Sequence, residues 1–105
     1  SHMPHVLAYI AMCAAETTKP VALEKFIGGS FRDLTRVAES SPALWTDIFL
    51  NNKKNLMEMC QLFIENLNLI LSMLENEDKA GIFSFLERAQ KAKITLNELE
   101  RNREQ

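Results

Sequence analysis

Two arginines, an aspartate and a pair of glycines crowd into Gly28-Gly29-Ser30-Phe31-Arg32-Asp33-Leu34-Thr35-Arg36. A guanidinium presents a rigid, planar fork of donors that matches a carboxylate. Arg36 is therefore the leading candidate for binding an anion. It follows a Gly-Gly turn, Gly28-Gly29, where backbone can approach a ligand closely. Arg32 lies one helical turn before Arg36, so the two share one anion or repel each other mildly. The same residues allow a purely structural role, in which both arginines pair with Asp33, Glu39 or solvent. Asp33 either completes a helix N-terminus or orients Arg36. Trp45 either lines a pocket or packs in a core. His5 either hydrogen-bonds a ligand or sits on the surface. Met57, Met59 and Met73 read as apolar filler.

Other chemistries find no support. There is no G-x-G-x-x-G, no phosphate-binding loop, no Cys/His cluster at metal spacing and no Ser/His/Asp set. These 105 residues hold no group able to transfer a hydride or activate a nucleophile, so no catalytic residue and no metal ligand is assigned. The length fits one domain, and an apolar fraction of 47% supports a folded core rather than disorder. The net charge of −2 is spread along the chain without a basic block, which argues against nucleic acid as a partner. No apolar run reaches the length of a membrane span. Cys13 and Cys60 are isolated and are expected to be buried free thiols in a reducing compartment, the cytoplasm. Ser1-His2-Met3 looks like the remnant of an expression tag, which would leave 4–105 as the native domain.

The positioning elements are all helical. Pro4 suits a first turn, and a helix over 4–16 carries an apolar stripe at Val6, Tyr9, Ile10 and Cys13. Its alanines 8, 11, 14 and 15 permit close helix approach. Pro20 ends this segment, and a short helical turn is expected over 21–26. Ser30-x-x-Asp33 resembles a capping box and predicts a helix over 31–38 with Phe31 and Leu34 inward. Ser41-Pro42 marks the next N-terminus, whose helix buries Leu44, Trp45, Ile48 and Phe49. Asn51-Asn52 is a break. The longest helix spans 53–75 with a heptad-like seam at Leu56, Cys60, Phe63, Leu67, Ile70 and Leu74. Further apolar stripes run along Met57, Ile64 and Leu71, and along Met59, Leu62, Leu69 and Met73. A helix apolar on most of its girth must be covered on most of its girth. A homodimer through 53–75 and its neighbouring helices is therefore expected. Asn76-Glu77-Asp78 forms a turn. A last helix over 79–101 follows, with Ile82, Phe85, Leu86, Ala89 and Leu96 inward and a frayed charged tail.

The motifs of 28–52 resemble those of prephenate dehydrogenases. That family shows a glycine run, then F-[RK]-D-x-T-R-[IV]-A, then S-x-P-x-x-W-x-D-I-x-x-x-N. Phe31-Arg32-Asp33-Leu34-Thr35-Arg36-Val37-Ala38 and Ser40-Ser41-Pro42-Ala43-Leu44-Trp45-Thr46-Asp47-Ile48 with Asn52 match it position by position. Ser30 stands where a third glycine is common. Ser1-His2-Met3-Pro4-His5 is similar to the family's S-H-x-P-H.

The resemblance implies an all-α C-terminal domain of the 6-phosphogluconate dehydrogenase C-terminal-like type, in an intertwined dimer. It implies an enzyme that oxidatively decarboxylates prephenate to 4-hydroxyphenylpyruvate in tyrosine biosynthesis, with NAD or NADP accepting the hydride. The cofactor would be held by an N-terminal Rossmann domain absent here, so this portion alone would bind none and be inactive. Arg36 would anchor a substrate carboxylate, His5 would line the same pocket, and Gly28 and Gly29 would shape the turn beside it. Asp33 and Trp45 would belong to the surrounding network, with Trp45 reaching the neighbouring subunit's site. Tyrosine would compete there in some members. Arogenate dehydrogenases share these motifs. A non-catalytic helical interaction module is the alternative of a different class.

Overall fold

The computed structural model describes residues 2–16 and 29–104. The turn expected over 21–26, and Gly28, lie outside the described residues. The fold is all-α, with no strand among the described residues. In chain order the helices are α1 (His2–Glu16), α2 (Gly29–Thr35), a 3₁₀ turn (Arg36–Glu39), α3 (Pro42–Asn51), α4 (Lys53–Glu75) and α5 (Lys79–Glu104).

Helix α1 begins at His2, two residues before Pro4, so the proline sits inside the first turn, where a missing N–H breaks no bond. Its most buried positions are Ala8 and Ala15. The expected stripe is corrected there. Ile10 is 56% exposed and Cys13 is exposed, while Tyr9 is half-buried. Small side chains face the neighbouring backbone, because only they let two helices approach closely. Cys13 is thus not a buried thiol, and Cys60 is only half-buried.

Helix α2 starts at Gly29, one residue before Ser30, so Ser30 is not its cap. Glycine is tolerated in a first turn, where its backbone entropy costs less than in a helix interior. The helix stops at Thr35, earlier than expected. The Thr35 hydroxyl donates to the Phe31 carbonyl at 2.8 Å, a local side-chain bond that competes with the helical ladder. The chain then tightens into the 3₁₀ turn, which Ser40 N–H closes onto the Val37 carbonyl at 3.1 Å. Leu34, expected inward, is 55% exposed.

The later boundaries follow their caps. Ser41 Oγ accepts from Leu44 N–H, and Pro42 opens α3. Asn52 separates α3 from α4: its N–H donates to the Phe49 carbonyl, and its own carbonyl accepts from Leu56 N–H. At the end of α4, Glu77 takes a left-handed φ of 51°, and Asp78 N–H reaches back to the Met73 carbonyl. Asp78 then caps α5 by accepting from Gly81 N–H at 3.0 Å. Helix α5 continues to Glu104, past the expected end at Arg101, with Arg101 and Arg103 in its last turn where cations complement the helix dipole.

The chain forms two compact units, Ser1–Gln61 and Leu62–Gln105, whose boundary falls within α4. In the first, α1 packs against α2 and the 3₁₀ turn. In the second, Phe63, Leu67 and Ile70 of α4 border a groove with Phe85 and Ala89 of α5. Arg88 lies over the Phe85 ring at 5.7 Å. Among the described residues, Ala8, Ala15, Leu56 and Met73 are the buried apolar ones, whereas eighteen large apolar side chains are exposed. Leu67 and Leu74 of the expected seam are 63% and 58% exposed, and Leu71 beside them is 62% exposed.

Candidate functional site

The first unit carries an open groove of about 670 Å³ between α1 and the α2–3₁₀ segment. Tyr9, Met12, Cys13 and Glu16 form one wall. Arg32 and Thr35 of α2, with Arg36, Ala38 and Glu39 of the 3₁₀ turn, form the other. The helical spacing that puts Arg32 and Arg36 on one face thus brings both guanidiniums to one groove. Both are exposed, and among the described residues neither forms an ion pair with Asp33, Glu39 or another carboxylate. Of the structural roles considered for them, pairing with acidic neighbours has no contact behind it there, whereas exposure to solvent fits both. Two uncommitted cations beside the apolar surfaces of Met12 and Tyr9 suit an anion that also carries an apolar body.

The other sequence candidates fall elsewhere. Asp33 is exposed and does not line the groove. Gly29 is helical, and a Cβ added there would meet nothing within 4 Å, so the fold itself does not require glycine at that point. His5 and Trp45 come together in a parallel stack, with ring centroids 3.5 Å apart and planes 15° from each other. They lie beside the arginine groove, not in it: Trp45 borders a smaller hollow with Tyr9, Pro42, Thr46 and Phe49. Trp45 is half-buried there, neither deep core nor free surface.

Two participants were missed from sequence. His2 meets Trp45 edge-on at 5.9 Å and hydrogen-bonds Asn52 at 2.9 Å. Asn55 Nδ2 donates to Asn52 Oδ1, which leaves Asn52 Nδ2 to donate to His2 Nδ1. Tyr9 lines both the groove and the smaller hollow, and its hydroxyl donates to the Ser40 carbonyl at 2.9 Å. A signal existed for Tyr9. It is the sole tyrosine, four residues after His5 and four before Cys13, and so faces the same way as both.

Among the described residues no helix is long and apolar enough to cross a membrane, and no cluster of His, Cys, Asp and Glu is arranged to hold a metal ion. The architecture defines the class: an all-α domain with many exposed apolar side chains. Comparison with known proteins makes the family explicit. The family described as "Prephenate dehydrogenase, dimerization domain" matches residues 1–88. The chain is 36% identical over 99 residues to a cyclohexadienyl dehydrogenase of Zymomonas mobilis, covering 91% of this chain and 34% of that protein. It is 35% identical over 92 residues to a prephenate dehydrogenase of Bacillus subtilis, covering 85% of this chain and 24% of that protein. A prephenate dehydrogenase of Lactococcus lactis is 33% identical over 93 residues, covering 87% of this chain and 26% of that protein. This chain belongs to the prephenate dehydrogenase dimerization-domain family. It spans about a quarter to a third of the length of these relatives.

Proposed function

We propose that residues 4–105 are the helical C-terminal part of a cytoplasmic prephenate dehydrogenase of tyrosine biosynthesis, and that they bind substrate and dimerise. The observation that carries this reading is the groove in which Arg32 and Arg36 stand without a described carboxylate partner. Arg36 anchors a substrate carboxylate through a charge-assisted bond. The apolar wall of Tyr9 and Met12 receives the substrate's ring. His5 and Trp45, held together by their stack, form the far border of the site. NAD or NADP accepts the hydride in the complete protein. Tyrosine, which resembles the product, competes for the same groove. Arogenate carries the same ring and fits the same reading.

The exposed apolar side chains of α4, Leu67 and Leu74 of the expected seam among them, support a homodimer packed through α4 and its neighbours, read here as of the 6-phosphogluconate dehydrogenase C-terminal-like type. The deciding experiment is steady-state kinetics of the full-length protein with Arg36→Ala. A strongly raised KM for prephenate is expected. An unchanged KM removes the anchoring role. Replacing prephenate by arogenate in the same assay assigns the substrate.

A further inference from the structure

Tyr9 stands where the two parts of the candidate site join. Arg36 opens the 3₁₀ turn and Trp45 lies in α3, and only Ser40 and Ser41 separate these two elements. Ser40 is extended, with φ −62° and ψ 155°. Its carbonyl accepts the Tyr9 hydroxyl at 2.9 Å, across 31 residues of sequence. The Tyr9 ring also meets Phe49 edge-on at 6.2 Å, and Phe49 meets Trp45 at 5.9 Å. One side chain of α1 therefore touches the joint, the arginine groove and the aromatic group around Trp45.

This geometry matters because no described side-chain contact restrains Arg36 itself. Its guanidinium forms no ion pair with a described carboxylate, so its place depends on the backbone beneath it. That backbone is a four-residue 3₁₀ turn, whose hydrogen bonds are poorer than those of an α-helix. A binding group displaced by about 1 Å loses much of its effect. We propose that Tyr9 is a positioning residue: its hydroxyl holds the Ser40 joint so that Arg36 and Trp45 keep a fixed separation around one bound carboxylate-bearing ligand. The inference rests on the reading of Arg36 as the carboxylate anchor.

The test uses the full-length protein and prephenate in four forms: unaltered, Tyr9→Phe, Arg36→Ala and both together. Tyr9→Phe keeps the ring against Phe49 and removes only the hydroxyl. Loss of one hydrogen bond corresponds to about a fivefold change in an equilibrium. KM is expected to rise about fivefold in Tyr9→Phe, with kcat changed by less than about twofold. In the Arg36→Ala background the same substitution is expected to add nothing, because the group it positions is gone. A raised KM in Arg36→Ala with an unchanged KM in Tyr9→Phe overturns the role of Tyr9 alone. An equal rise in both backgrounds also overturns it, since a general loosening of the fold acts without Arg36. An unchanged KM in Arg36→Ala overturns the anchor reading and this inference with it.

Discussion

Arg36 and Arg32 share one groove between α1 and the α2–3₁₀ segment. Each lines the groove, and neither is paired with a carboxylate among the described residues. A charge-assisted hydrogen bond to a ligand contributes about 1.5–3 kcal/mol, so Arg36→Ala should raise KM for prephenate by roughly ten- to over a hundredfold. Initial-rate measurements across prephenate concentrations check this, with kcat as the internal comparison. Their spacing already placed both guanidiniums on one helix face. The company they keep was not legible, because Tyr9, Met12, Cys13 and Glu16 come from α1 and reach the groove only through packing. The stack of His5 on Trp45 was hidden for the same reason, since 40 residues of chain separate the two.

At the scale of single helices, local chemistry decides most boundaries and can be tested one cap at a time. Ser41→Ala removes the acceptor for Leu44 N–H and should cost about 1 kcal/mol of stability. Urea denaturation of the two forms gives the difference directly. Glu77 holds a left-handed conformation that side chains with a Cβ resist. Glu77→Gly relieves about 1–2 kcal/mol of that strain and adds about 0.5–1 kcal/mol of unfolded-state entropy. A net gain of up to about 1.5 kcal/mol is expected, read as a higher denaturation midpoint. The caps at Ser41-Pro42, the break at Asn52 and the turn at 76–78 were all legible in sequence, because each depends on residues within a few positions. The early end of α2 was not. The Thr35 hydroxyl could bond solvent or a carbonyl, and sequence alone does not choose. The inward side of α1 was misplaced for a similar reason: four alanines and several larger residues offered competing faces, and the neighbouring backbone selected Ala8 and Ala15.

The described residues expose more large apolar side chains than they bury, and α4 carries eight of the eighteen that are exposed. Full burial of one leucine is worth about 1.5–3 kcal/mol. Leu67→Glu with Leu74→Glu places four charges across a two-fold interface, since each change occurs in both copies. Sedimentation equilibrium is expected to show a dimer for the unaltered chain and at least about a hundredfold weaker association for the double variant. A monomer for the unaltered chain would remove the proposed dimer, and an equally tight dimer for the variant would move the interface away from α4.

The all-α class, the element order and the family followed from sequence alone. They rest on short-range caps, helical periodicity and one contiguous run of motif residues, 28–52, which need no partner to be read. Residue contacts across long separations needed the packed chain. Tyr9 reaches Ser40, His5 reaches Trp45 and His2 reaches Asn52 because α1 lies beside the 3₁₀ turn and meets side chains of α3 and the junction after it. Periodicity states which side chains share a face; the close approach of two helices determines which faces meet.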